Sequence, residues 1–172
     1  MSAKCKELFP HQDNSSLNSF YGNPMGRNGQ SSPKWESQNL ARWTPPYPIW
    51  FSVNTKQQLK TIRVHKKLVS TFDAAFKDVL DHYGIDKIKQ LRLDISGGAY
   101  MYRLERGGSN LSVHSWGCAI DMDPVHNPFP HRWQEGMIDP TFCQILESHG
   151  FWWRGENGDT DPMHFQCAWR GN

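Results

Sequence analysis

The sequence predicts an α+β fold in which a small antiparallel sheet is flanked by helices. From about His65 to Tyr83, apolar residues recur with the spacing of an amphipathic helix. Leu91, Leu93 and Ile95 alternate with polar residues, as in a half-buried strand. Helix-like and strand-like segments do not alternate regularly along the chain, which a parallel β-α-β fold would require. The pattern therefore favours an antiparallel sheet.

Residues 1–50 differ in composition from the rest of the chain. They are rich in Ser, Asn, Gly and Pro, and they carry Trp35, Trp43 and Trp50. The Pro45–Pro48 stretch cannot lie inside a helix. We expect an extended N-terminal arm that packs on the domain through its aromatic side chains, and a catalytic domain over residues 51–172.

Glycines and capping residues mark the ends of the other elements. Gly84 is expected to stop the long helix, and Ser96-Gly97-Gly98 to end the strand that follows it. Asp139 and Pro140 are typical of an N-cap and a first helical turn, so they predict a helix that stops at Gly150. Further extended segments are predicted over residues 59–64, 118–123, 151–153 and 163–166.

Composition excludes several classes of protein. Aromatic residues make up 13% of the 172-residue chain, which argues against disorder. No apolar run is long enough to span a membrane. The net charge of +2 is too small to indicate nucleic acid as a partner. The first thirty residues lack the apolar core of a signal peptide, so we expect a cytoplasmic protein that reaches other sites only after release.

The charge is unevenly distributed. Residues 121–164 hold eight acidic and two basic residues, together with several histidines. Such a segment is either part of a metal site or a solvated acidic face, and composition does not distinguish the two.

Two residues of this segment, Asp121 and His164, form a ligand set typical of catalytic zinc together with His114, which precedes it. Asp161 lies three residues before His164, from where it can reach an attacking water without binding the metal. Because the chain has eight histidines, spacing alone leaves surface or hydrogen-bonded histidines as an alternative. The other histidines without an obvious partner are expected at the surface: His11, His65, His82, His126 and His131.

The chain contains two motifs whose residues and order resemble those of a known family. The first motif is Ser112-x-His114-x-x-Gly117-x-Ala119-x-Asp121, and the second is Asp161-x-x-His164-Phe165. Together they are similar to the zinc D-alanyl-D-alanine carboxypeptidase and L-alanyl-D-glutamate endopeptidase family. That family includes vancomycin-resistance dipeptidases and phage endolysins and shares its fold with Hedgehog signalling domains. The resemblance covers roughly residues 60–166.

The resemblance implies a Hedgehog/DD-peptidase-like fold and a role for individual residues. His114, Asp121 and His164 match the ligands of one Zn²⁺ ion, and Asp161 matches the general base. Arg103 resembles the arginine that steadies the developing oxyanion, a role for which Arg106 is a rival by proximity.

Other positions in and near the motifs carry open alternatives. Ser112 resembles a substrate-contacting serine, although a turn hydrogen bond explains it as well. Trp116 is a candidate wall of the cleft or a core residue. Gln166 stands where many relatives have Glu, so metal tuning is expected to differ. Cys118 lies within the first motif, and a cysteine nucleophile is the rival chemistry.

The resemblance implies a zinc peptidase that cuts peptidoglycan stem peptides. We expect a monomeric phage endolysin with L-alanyl-D-glutamate endopeptidase activity, stored in the cytoplasm and acting on the cell wall after release. The alternatives are a D-alanyl-D-alanine carboxypeptidase or dipeptidase, and a non-catalytic zinc-containing binding module. No nucleic acid and no membrane insertion are expected.

Overall fold

The structure, a computed structural model that describes residues 3–156 and 159–171, contains one mixed six-stranded sheet. Its strands lie side by side in the order β3 (Asn54–Gln58), β2 (Trp50–Phe51), β5 (Ile95–Gly98), β6 (Ala119–Met122), β8 (His164–Gln166) and β7 (Trp152–Trp153). The β2–β5 pair is parallel and the other pairs are antiparallel. The predicted α+β class is confirmed, and the parallel pair is the exception to the antiparallel sheet.

The described residues also contain a second, two-stranded sheet and five α-helices, besides short turns of 3₁₀ helix. The small sheet pairs β1 (Leu40–Trp43) with β4 (Ile62–His65). The helices are α1 (Ala3–Leu8), α2 (Asn14–Tyr21), α3 (Pro33–Asn39), α4 (Val69–Gln90) and α5 (Pro140–Ser148). Across the described ranges, none of these helices combines the length and the apolar character needed to cross a membrane.

Helix α4 forms the centre of the core. Its apolar face buries Phe72 and Phe76. The ring centre of Trp43 from β1 lies 5.3 Å from that of Phe72 and 4.9 Å from that of Phe76. The predicted stop at Gly84 is a kink instead. Gly84 adopts a φ of 67°, which a helix cannot contain, and the chain then resumes helical geometry to Gln90.

The strand predicted from Leu91 begins only at Ile95. Arg92 takes a positive φ of 55°, and the N–H of Leu93 returns to the carbonyl of Ile88, so this stretch turns rather than extends. Leu93 is buried all the same, which explains its apolar character. The alternation of apolar residues thus came from a buried turn.

Two other predictions, the strand over residues 118–123 and the helix capped by Asp139, agree with the structure. The strand predicted over 118–123 is confirmed as β6. The Asp139 side chain caps α5 by accepting from the N–H of Thr141 at 2.8 Å, as its sequence indicated. Helix α5 ends at Ser148, two residues before Gly150.

The N-terminal segment is not an extended arm, because it contains helices α1, α2 and α3. Two side-chain caps explain the difference: Asp13 accepts from the N–H of Ser16, and Ser32 from that of Trp35. The expected aromatic anchors are present, since Trp35 and Trp43 are buried. The division of the chain at residue 50 stays a prediction.

His65 was expected at the surface and is fully buried. Its Nε2 donates to the carbonyl of Tyr21 at 3.0 Å, and its Nδ1 accepts from the N–H of Lys67 at 3.2 Å. Burial lowers the pKa of His65 to about 4, with the Tyr21 hydrogen bond opposing and the positive charge of Lys67 adding to the shift. The imidazole is therefore a neutral link between α2 and the start of α4.

We expect the free energy of unfolding to decrease as pH falls from about 6.5 toward 4, because the unfolded His65 binds a proton that the folded residue excludes. His65→Gln should remove up to about 3 kcal/mol of this pH dependence. Urea unfolding curves across this pH range measure it. The exposed His131→Gln serves as the control and should keep the wild-type slope. An unchanged slope in His65→Gln would contradict the assignment.

Candidate metal centre

Two of the candidate ligands are brought together by strand register. Asp121 on β6 and His164 on β8 are direct partners in the antiparallel pair, so their side chains emerge on the same face. The Oδ1 of Asp121 lies 2.9 Å from the Nδ1 of His164.

The third candidate, His114, reaches the same point from a single turn of 3₁₀ helix at Val113–Trp116. Ser112 caps this turn by accepting from the N–H of His114. Gly117 then takes a left-handed φ of 65° and leads the chain into β6. A Cβ there would lie 2.9 Å from the backbone nitrogen of His65, so only glycine fits.

The three ligand atoms form a nearly equilateral triangle. The Nε2 of His114 lies 3.1 Å from the Nδ1 of His164 and 3.3 Å from the Oδ1 of Asp121. Ligands about 2.0–2.1 Å from a tetrahedral zinc ion are about 3.3 Å apart. His114, Asp121 and His164, which we call the triad, are the described residues grouped closely enough to hold a metal ion.

Hydrogen bonds outside the triangle determine which ring nitrogens hold protons. The Nδ1 of His114 lies 2.7 Å from the carbonyl of Ala99, which can only accept, so Nδ1 holds a proton and Nε2 is the nitrogen that can bind a metal. The Nε2 of His164 donates to the Oε1 of Gln166 at 3.0 Å, so Nδ1 is the nitrogen that can bind a metal. These two nitrogens and a carboxylate oxygen thus face one point, where they can bind a cation.

In the metal-free protein, hydrogen bonds between Asp121 and the two imidazoles occupy the place that a cation would take. Burial alone would raise the pKa of Asp121, but the charges and hydrogen bonds of His114 and His164 outweigh it and hold that pKa well below its usual range. Burial works against a charge on His114, yet Asp121 outweighs it and raises the pKa of His114. A carboxylate that stays ionised among imidazoles is a fitting ligand for a divalent cation.

Asp161 is held next to the triad by a tight turn. The N–H of His164 donates to the carbonyl of Asp161 at 3.1 Å, with Pro162 in the turn and the indole N–H of Trp153 on the Pro162 carbonyl at 2.8 Å. The Oδ1 of Asp161 is buried and has no hydrogen-bond partner among the described residues. Burial, with repulsion from Asp121, raises the pKa of Asp161. The side chain thus offers an unused proton acceptor.

Residues of the triad line two adjoining arms of a groove. A polar arm of about 220 Å³ is lined by Gln12, Arg103, Glu105, Arg106, Ser112, Val113, Asp121, Phe129, Arg154, Asp161, Met163, His164 and Arg170. A second arm of about 250 Å³ is lined largely by apolar and small residues, among them Phe51, Val53, Gly97, Gly98, Met101 and Pro124. Both arms share Arg103, Arg106, Asp121 and Met163, so the two arms adjoin at the triad.

The two arginines of the sequence analysis both line this groove. The backbone of Arg103 is clamped by Ser115, whose Oγ accepts from its N–H at 3.1 Å and donates to its carbonyl at 3.0 Å. This clamp holds Arg103 beside the turn that carries His114. Arg106 lies on the exposed loop that follows, with its guanidinium 5.1 Å from the ring centre of Phe129.

The structure separates the remaining candidates. Ser112 lines the polar arm and also makes the turn hydrogen bond. Trp116 is fully buried with its indole N–H on the carbonyl of Gly22, so it is a core residue and not a wall of the groove. Cys118 is also fully buried, and burial holds the pKa of its thiol far above the usual range, which removes the nucleophile alternative.

Sequence reasoning missed several groups that shape the site. The Ala99 carbonyl has no side-chain signature at all. Gln12 and Arg154 line the polar arm, although neither belongs to a motif. For Ser115, its place directly after His114 was an available signal.

Comparison with known proteins agrees with the geometry. A family model described as D-alanyl-D-alanine carboxypeptidase matches residues 106–167, a stretch that contains the whole triad and Asp161. No curated protein and no solved structure matches the chain. The match supports a peptidase of this kind, and residues 1–105 lie outside it.

We expect the chain to bind one zinc ion and His114→Ala to lose it, because two ligands do not make a stable zinc site. Zinc in large excess over its Kd should raise the unfolding free energy of the wild type by about 4 kcal/mol and that of His114→Ala by almost nothing. Metal analysis after gel filtration and thermal unfolding with and without zinc measure this. His131→Ala is the matched control. Stoichiometric zinc in His114→Ala would contradict the assignment.

Proposed function

We propose that this protein is a zinc-dependent peptidase that hydrolyses peptidoglycan stem peptides, with the L-alanyl-D-glutamate endopeptidase activity of a phage endolysin. The observation that carries the proposal is the convergence of three metal-ligand atoms and an unpartnered, buried Asp161 oxygen in one groove. The family match, which includes these residues, supports a peptidase that acts on peptidoglycan.

The triad fits zinc in number, donor type and spacing. When bound in such a site, zinc supplies an electrophile that polarises a peptide carbonyl and makes water acidic near neutral pH. His114, Asp121 and His164 would hold the ion through Nε2, Oδ1 and Nδ1. Three protein ligands leave one position open, as in other catalytic zinc sites.

Asp161 is the proposed general base. Its Oδ1 takes the proton of the attacking water and then delivers it to the amine that leaves when the peptide bond breaks. The raised pKa of this buried carboxyl makes it a better acceptor than an ordinary aspartate. A carboxylate without a hydrogen-bond partner beside a purely structural metal would have no such use.

Arg103 is the proposed oxyanion partner. Its backbone is fixed by Ser115, and its side chain lines both arms of the groove at the triad. A cation placed there before the reaction stabilises the negative charge that develops on the carbonyl oxygen. Arg106 occupies the same rim but lies on an exposed loop, so we assign it to substrate binding together with Ser112.

The shape of the groove favours an endopeptidase. An enzyme that removes only a terminal D-alanine needs little room beyond the scissile bond. Here an arm of about 220 Å³ and one of about 250 Å³ both reach the triad, and this room supports a substrate with residues on both sides of the cleaved bond. D-alanyl-D-alanine carboxypeptidase activity is the second candidate, favoured by the description of the matching family.

We expect Asp161→Asn to keep zinc but to lose at least about 100-fold in kcat, because the amide cannot accept the proton. Mass spectrometry of purified peptidoglycan, digested by zinc-loaded protein, measures the products. New L-alanine carboxyl and D-glutamate amino ends identify the endopeptidase, and loss of terminal D-alanine alone identifies the carboxypeptidase. Asp81→Asn, at an exposed position, is the control.

Full activity in Asp161→Asn would refute the base assignment. Failure of zinc-loaded wild type to cleave any stem peptide would refute the peptidase proposal and favour a binding module.

We expect Arg103→Ala to lower kcat by about 100-fold or more, because charge on the oxyanion forms only in the transition state. Arg106→Ala should act mainly on KM. Steady-state kinetics on a soluble stem peptide separate the two parameters, and zinc content checks that the site is intact. A kcat loss in Arg106→Ala with none in Arg103→Ala would exchange the two roles.

A further inference from the structure

A chain of hydrogen bonds leads from the triad to the N-terminal segment. The Nε2 of His164 donates to Gln166, and the Nε2 of Gln166 donates to the Oε1 of Gln12 at 3.1 Å, although these two glutamines are 154 residues apart. We propose that Gln12 is a positioning residue of the metal centre, which acts through Gln166 on the imidazole of His164. The inference rests on the proposed metal site and adds to it a residue from outside the matched family region.

The side-chain amide of Gln166 satisfies its hydrogen bonds in one of its two flipped orientations. Its side chain is fully buried, and its amide donates one proton to the carbonyl of Ala168 at 2.7 Å and the other to Gln12. With both protons used, its oxygen is left to accept from His164. The reversed amide would place its oxygen against the Ala168 carbonyl and its NH₂ against the His164 ring.

The orientation of Gln166 restrains the ring of His164. The Gln166 oxygen lies 3.0 Å from Nε2 and accepts its proton, and this hydrogen bond holds the ring with Nδ1 toward Asp121 and His114. Partners of this kind, which fix ring orientation and tautomer, contribute substantially to metal affinity. Removing the acceptor at Gln12 would leave one proton of a buried amide unpaired and weaken this restraint.

The backbone, not the Gln12 side chain, fixes the N-terminal segment here. The N–H of Gln12 donates to the carbonyl of Trp169 at 2.9 Å, and the N–H of Trp169 donates to the carbonyl of Pro10 at 3.0 Å. The Trp169 ring packs edge-on against His11 and contacts the Lys6 ammonium at 5.0 Å. A substitution at Gln12 should therefore leave the segment in place.

Gln12 also lines the polar arm of the groove. The segment that carries it lies outside residues 106–167, so the family region alone lacks this contact. The inference therefore gives residues 1–50 a role, because Gln12 in this segment orients Gln166, and Gln166 orients the ligand His164.

The test compares Gln12→Leu, Gln12→Glu and the control Gln144→Leu in the full-length chain, with Gln144 exposed on α5. Zinc affinity is measured by competition with a chromophoric chelator. The hydrogen bond from His164 to Gln166 is read in zinc-loaded protein by NMR, from the rate at which the Nε2 proton exchanges with water. Gln12→Leu should bind zinc about 10-fold more weakly and show faster exchange of this proton. Gln12→Glu keeps an acceptor for Gln166 and should bind at least as tightly as the wild type.

Wild-type zinc affinity and wild-type exchange of the His164 Nε2 proton in Gln12→Leu would overturn the inference. So would equal weakening in Gln12→Leu and Gln12→Glu with a lower thermal midpoint of the metal-free protein, since that indicates a structural role alone. Neither measurement uses a substrate. Lack of peptidoglycan cleavage with the expected zinc affinities would refute the proposed function and leave the inference standing, whereas failure of the wild type to bind zinc would overturn both.

Discussion

The register of β6 against β8 is the constraint on which the rest of the site depends. It sets Asp121 opposite His164, and it brings two unlike ligand atoms within 2.9 Å. A slip of one residue would turn one of these side chains to the opposite face of the sheet. The metal centre, the position of Asp161 and the two arms of the groove all follow from this pairing.

The hydrophobic core holds that register. Phe165 lies between His164 and Gln166 on β8, so its side chain points away from the site and into the core. There its ring meets those of Phe142 at 5.5 Å and Trp153 at 6.3 Å, and its strand partner is the buried Ile120. Moving Phe165 into the groove would expose a large aromatic side chain and bury polar ones. The packing of Phe165 in the core therefore fixes the position of His164 on the opposite face of β8.

Sequence reasoning predicted features whose signals are local. A short, ordered motif predicted that His114, Asp121 and His164 lie together, and the Asp139 cap directly adjoins the helix it starts. Features that depend on a distant partner had no such signal. The hydrogen-bond partner of the buried His65 is Tyr21, 44 residues away, and that of Gln166 is Gln12, 154 residues away. In the N-terminal segment, the composition typical of loops concealed the caps at Asp13 and Ser32 that form helices.

Zinc X-ray absorption spectroscopy on the purified protein tests the central claim most directly, because it identifies the atoms bound to the metal. The account requires a four-coordinate ion with two imidazole nitrogens and carboxylate or water oxygens at about 2.0–2.2 Å, and loss of an imidazole contribution in His164→Ala. A zinc–sulfur distance of about 2.3 Å would place the metal on the cysteines instead. An imidazole contribution that is unchanged in His164→Ala would likewise contradict the triad as the metal centre.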